Sequence, residues 1–186
     1  MKSIIYRFFY TALALSLSIV VYAVNNGYKL DSLFVWTGFD FASNLFKSIP
    51  PIISYIICIV VLLLLALLMA RISRCLTCIN ISSSSIRLIE PAGEGLMLTY
   101  LGLFFFALSV QSGPAMLIIY VLLLICVHIS NVYLFNPIFS LIGYKFYYLT
   151  FEGGKRCLLI SKEKFAHNDT INFEKLYKLN EFTYID

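Results

Sequence analysis

"PPIISYIICIVVLLLLALLMA", Pro50 to Ala70, runs for twenty-one residues without a charge. As helix it is long enough to cross the roughly 30 Å hydrocarbon core of a bilayer, which takes about 20 apolar residues. The rest of the chain shows the same bias. Over 186 residues it is 60% hydrophobic and 13% charged, with a mean hydropathy of +0.86, whereas a soluble domain carries about 25% charged residues. The apolar excess comes in blocks: no Asp, Glu, Lys or Arg occurs from Gly95 to Tyr144. Such blocks predict an α-helical polytopic membrane protein.

Working outward from Pro50, four transmembrane helices are expected at about 8–24, 50–70, 95–110 and 115–135, making a transmembrane domain of residues 1–135. "QSGP", Gln111 to Pro114, separates the third and fourth as a tight turn, with Ser112 to cap the next helix and Pro114 to open it. Gly102, with Thr99 nearby, offers a place where helices can approach closely, and homo-oligomerisation is expected of so small a bundle. The first span has a second reading as a leader peptide cut after Ala23, because "MKSIIYRFF" precedes its apolar stretch and "VYA" ends it. The stretch is long for that role, and the expectation is a retained span.

Orientation follows from the cations. An even number of crossings puts Lys2, Arg7, Arg71, Arg74, Arg87 and the seven basic residues from Lys145 onward on one side, against Lys29 and Lys47 on the other. That is a strong positive-inside bias. Both termini and the inner loop 71–94 are therefore placed in the cytoplasm, and the outer loop 25–49 faces away. Phe34, Trp36, Phe39 and Phe41 make that outer loop aromatic, as suits a segment at headgroup level and a surface that senses what arrives from outside.

Candidate chemistry is sparse. Cys75 and Cys78 form a C-x-x-C pair, but a zinc site needs four ligands, and the two histidines, His128 and His167, are not spaced to complete one. The pair is expected to be reduced thiols, and the loop around "ISSSSIRLIEPAGEG" a polar linker followed by a short amphipathic stretch. His128 is an ionisable side chain inside the fourth span, which invites a functional reading. A proton path needs a carboxylate or a second histidine at that depth, and none is present. A structural imidazole donating to a neighbouring helix carbonyl is expected. No cofactor or metal is implied.

From Asn136 the texture changes. "YKFYYLTF" has the aromatic and β-branched content of a strand, "EGGK" the Gly-Gly of a hairpin turn with both central residues at positive φ, and "RCLLIS" returns. "INFEKLYKL" and "EFTYID" can add one or two strands. Residues 136–186 are thus a small cytoplasmic β-rich tail. Its seven basic and six acidic residues leave it near +1, too balanced for a nucleic-acid footprint. A protein-docking platform with an open sheet edge fits, with Lys145, Tyr147, Lys155, Arg156 and Lys162 as docking residues.

"NPIFSLIGYKFYYLTF" (Asn136–Phe151), "LLIS" (Leu158–Ser161) and "LNEFTYID" (Leu179–Asp186), placed after four short spans, resemble the KwaA family, the membrane subunits of the Kiwa anti-phage defence system. The resemblance lies in Asn136-Pro137, Gly143-Tyr144, Tyr147 and the Leu-Leu-Ile-Ser strand, and by architecture it covers most of the chain. It implies an inner-membrane sensor that works with a cytosolic DNA-binding partner subunit, KwaB, to block phage replication or expression, on a homo-oligomeric scaffold. The Cys75–Cys78 pair and the length of the outer loop have no counterpart in the family pattern. The resulting expectation is a non-enzymatic sensor and scaffold that docks its partner through the tail and responds to envelope perturbation. The rivals are a small oligomeric pore or toxin that depolarises the membrane, and a membrane enzyme using His128 or the cysteines.

Overall fold

Apolar runs wind into four long helices, two of them opened by Pro, and six shorter runs gather into one sheet. The computed structural model describes residues 2–29, 49–81, 86–130, 135–165 and 173–186. The helices are α1 (Lys2–Asn25), α2 (Pro51–Ile72), α3 (Gly93–Ser109), α4 (Gly113–Ile129) and a short α5 (Pro137–Leu141). The chain turns sharply at Gln111: the Ser112 side chain accepts from Ala115 N at 3.3 Å, and Pro114 lies in the first turn of α4. All four expected helices form, but two of them, at Ile4–Asn25 and Pro51–Cys75, are long and apolar enough to cross a membrane. The other two have 17 residues each, about 26 Å of helix. α4 stops six residues before the expected 135, because the chain leaves helical geometry at Ser130.

Both α3 and α4 pack on α1, as does α2. The segment with a second reading as a leader is therefore the element on which the other helices sit. α2 buries only Ser54 and Ala66, and its remaining surface of Ile, Val and Leu is largely exposed, as at Ile52 (71%) and Leu64 (59%). An apolar surface of that extent is stable only against lipid or another protein.

The sheet has six strands: β1 (Cys78–Ile81), β2 (Ile86–Pro91), β3 (Lys145–Phe151), β4 (Arg156–Ser161), β5 (Phe173–Lys178) and β6 (Thr183–Ile185). Their spatial order is β1-β5-β6-β4-β3-β2, with β4 and β6 parallel and the other pairs antiparallel. The 71–94 segment, expected to be an inner loop with a polar linker and a short amphipathic stretch, supplies both edge strands. β1 pairs with β5 and β2 with β3, and because β6 lies against β4, neither edge of the β3–β4 hairpin is open. The hairpin turn also departs from expectation. Gly154 alone takes positive φ (74°), Gly154 N bonds to Phe151 O at 2.9 Å, and Phe151 N bonds to Lys155 O at 2.9 Å. This is the three-residue loop with a left-handed third position.

The sheet is curled. Ile81 and Ile86 sit on opposite edges, yet the five residue steps between them reach at most about 18 Å, whereas six flat strands would hold their edges about 24 Å apart. Consecutive strand residues face opposite sides, and Leu158, Leu159 and Ile160 are all fully buried. One side, with Phe146, Leu158, Ile160 and Ile185, packs on the helices; the other, with Ile89, Leu149, Leu159 and Leu176, closes on itself.

Candidate functional site

"NPIFSLIGY", Asn136 to Tyr144, fixes the sheet to the helices. Asn136 is fully buried; its Oδ1 accepts from Ile138 N at 3.0 Å, capping α5, and its Nδ2 donates to the α1 carbonyl of Tyr10 at 3.2 Å. Pro137 opens the helix, as suits a residue with no N–H to satisfy. At the other end Gly143 has φ 92°, Tyr144 N bonds to Phe139 O at 3.0 Å and Gly143 N to Ser140 O at 3.1 Å. These are the two bonds of a Schellman cap, and the usual apolar contact accompanies them, with the Phe139 and Tyr144 rings 5.2 Å apart. A five-residue helix stopped at both ends aims β3 and sets its register.

Around that clamp, helix and sheet share one core. Tyr6, Tyr10 and Leu13 of α1, Ala66 of α2 and Ile138 and Phe139 of α5 pack in a single cluster with Phe146, Leu158, Ile160 and Ile185 of the sheet. The Tyr6 hydroxyl donates to Met69 O at 3.0 Å. Arg7 donates to Val127 O at 3.2 Å and Ser130 O at 2.7 Å, placing a cation on the free carbonyls at the C-terminus of α4, where the helix dipole favours it. At the start of α3 the backbone itself is in contact. A Cβ on Gly95 would lie 2.8 Å from Phe135 Cζ and 2.9 Å from the Tyr148 hydroxyl.

The expected docking residues fall into three places. Lys155 and Arg156 stand at the β3–β4 turn, the end of the hairpin away from α5. Arg156 pairs with Glu90 of β2 at 3.1 Å, and its guanidinium lies 4.0 Å from the Tyr148 ring centroid. Lys155 Nζ lies 5.7 Å from the ring centre of Phe182. Lys145 and Lys162 stand at the opposite end, next to the helices, with Lys162 Nζ 5.0 Å from the ring centre of Tyr144. Burial pushes the Tyr144 phenol above its ordinary range, with Arg74 pulling it down and Asp186 raising it further. Tyr147 is buried inside the curled sheet, donating its hydroxyl to Glu163 O at 3.1 Å and accepting from Phe165 N at 3.3 Å. It is a core residue, set apart by its burial from the four cations expected alongside it. Alternation within "KFYYLTF" did not say which face was inward, because both faces are covered.

Glu90, Tyr148 and Phe182, which hold the turn-end cations, were not legible beforehand, since the amphipathic stretch that became β2 was not expected to join the sheet. Phe34, Trp36, Phe39 and Phe41 lie outside the described residues. His128 packs edge-on against Phe8 at 5.9 Å, and its Nδ1 has no hydrogen-bond partner among the described residues. The expected donation to a helix carbonyl is thus not made from Nδ1. Cys75 and Cys78 are exposed free thiols, and Cys157 is a buried one. Among the described residues no three His, Cys, Asp or Glu side chains gather where they could hold a metal ion.

A family model described as "Anti-phage protein KwaA" matches residues 6–185. No curated protein and no solved structure matches the chain.

Proposed function

The chain belongs to the KwaA family of anti-phage proteins, and on that premise we propose that it is a multi-pass inner-membrane sensor and scaffold, without catalysis of its own. Its four helices cross the bilayer with both termini in the cytoplasm, and its sheet docks a cytosolic partner subunit of the KwaB kind. Perturbation of the envelope during infection shifts the helices and changes how the sheet holds that partner. The observation that carries this reading is the single core running from α1 and α2 through α5 into β3, β4 and β6. Packed interiors do not deform gradually, so a tilt of α1 has to be answered by the strands packed on it. Signalling of this kind requires two helix arrangements with different partner affinity.

The docking end is the β3–β4 turn, with Lys155 and Arg156, because Lys145 and Lys162 lie on the helix side and would face headgroups. Lys155→Glu with Arg156→Glu is expected to abolish co-purification of the partner while the protein still floats with membranes. Arg156 and Glu90 are both exposed, and pairs of that sort contribute ~1 kcal/mol or less, so the fold survives. Exchanging the two charges, Arg156→Glu with Glu90→Lys, keeps the pair and alters only the docking charge, which controls for local unfolding. Undiminished recovery from both variants would remove the turn from the interface. A protein recovered without any partner, accompanied by ion leakage from reconstituted vesicles, would replace the scaffold by a pore.

A further inference from the structure

We propose that the helical half holds a lipid site: a groove between α3 and α4, floored by α1, that takes one acyl chain with its ester or carboxyl group at Thr11. The proposal rests on the membrane reading above. Although joined by a tight turn, α3 and α4 pack on α1 far more than on each other. The space between them is a cavity of about 450 Å3, lined among others by Thr11, Ala14, Leu15, Gly102, Leu103 and Phe106. A Cβ on Gly102 would meet nothing within 4 Å, so the close helix contact expected at that glycine is absent and the position opens into the groove.

Thr11 points to an occupant. It is 3% exposed, and its hydroxyl has no hydrogen-bond partner among the described residues. Helix hydroxyls in an apolar setting ordinarily bond back to the preceding turn. Thr99 does so on the opposite wall, to Gly95 O at 2.9 Å, and Ser16 and Ser18 of α1 do so at 2.6 Å each. A buried hydroxyl left alone is unfavourable, and a ligand acceptor would relieve it. Water fits poorly, because it needs two to four polar partners and the lining is almost wholly apolar. A helix from a second copy fits no better: it is about 10 Å across and brings no free backbone acceptor. The volume lies in the ordinary range for small molecules, about 300–1,000 Å3. Polarity is ordered along the groove as well. Thr11 adjoins Tyr10, whose carbonyl is held by Asn136 at the sheet junction, and Leu15 and Phe106 lie deeper. The polar group therefore sits toward the sheet and the chain runs away from it.

Two sources share this chemistry, a membrane phospholipid and a free fatty acid, and photo-crosslinking separates them. The full chain is reconstituted in vesicles of phosphatidylethanolamine and phosphatidylglycerol containing a diazirine-bearing phosphatidylethanolamine or a diazirine-bearing palmitic acid. Labelled peptides are then mapped. Labels are expected at Leu103, Phe106 or Leu15, from the first probe if the ligand is a bilayer lipid and from the second if it is a free acid. Thr11→Val, nearly isosteric, is expected to weaken labelling about fivefold, the worth of one neutral hydrogen bond. Gly102→Leu, which fills the groove, is expected to remove it. Labelling at these residues by neither probe, or equal labelling in both variants, overturns the proposal. Flotation of the same vesicles keeps the two readings apart: protein that floats and takes no label sinks the groove alone, and protein that does not float sinks the membrane reading.

Discussion

Cys157 is the residue whose surroundings give the clearest test of the sheet. It is fully buried beside Leu149, Leu159 and Tyr184. Burial raises its thiol above the ordinary 9.0, with Lys155 and Lys178 pulling the other way. Tyr184 is raised above 10.0, first by burial and then by Cys157 and Glu181. Both groups are acids held neutral by the fold, so their contribution is fully present below the unfolded values and is lost as pH rises through the folded ones. The sheet is therefore expected to keep its stability to about pH 8.5 and lose it progressively on the alkaline side. Cys157→Ala should move the onset upward, toward the range of Tyr184. Unfolding followed by circular dichroism in detergent, from neutral pH upward, checks this; an onset unmoved by the substitution would take Cys157 out of the account. Alkylation should reach Cys75 and Cys78 in the folded protein and spare Cys157 until it unfolds. The exposure of the first two fits a charged, polar neighbourhood that sequence could display. The depth of Cys157 depends on strand neighbours that are far apart in the chain.

At the level of elements, the junctions carry the specificity. Gly95 and Gly102 lie seven residues apart on α3 and look alike in sequence, yet they meet opposite surroundings. Gly95→Ala would drive a methyl into Phe135 and Tyr148, and overpacking of that kind costs about 1–3 kcal/mol. Gly102→Ala would project into open space and should raise helix stability by a few tenths of a kcal/mol up to about 1. Thermal midpoints of the two variants are expected to move in opposite directions, and a similar fall in both would contradict the geometry. Some elements announce themselves. "QSGP" gave a turn with its capping serine, since caps are local chemistry, whereas α5, closed by Asn136-Pro137 at one end and Gly143-Tyr144 at the other, was not expected, because five helical residues are too few to show a period. Nor do β1 and β2 announce themselves. "CINI" and "IRLIEP" are short, interrupted by Ser-rich chain, and become strands only because β5 and β3 lie alongside them.

The whole molecule joins two kinds of solubility. Its helices expose isoleucine, leucine and phenylalanine, while the sheet hides them on both faces. Hydropathy alone displayed that division; the interlock between the halves was invisible to it, because β1 and β2 leave the helical region to become the edges of a sheet otherwise built more than fifty residues later. The position of β6 has a further consequence, in time. This three-residue strand lies between β5 and β4, with Leu158 N bonded to Phe182 O, and Asp186 N to Ile160 O at 3.0 Å. A ribosome makes it after everything it joins. Until then β5 and β1 have nothing to hold them to β4. Truncation after Phe182 is expected to leave a chain that still floats with membranes but whose region after Asn136 is cut rapidly by an added protease; slow cutting would show that the sheet assembles without its middle strand. Translation would thus supply β6 only after every strand it joins, so that the sheet stays in two pieces until its middle strand arrives.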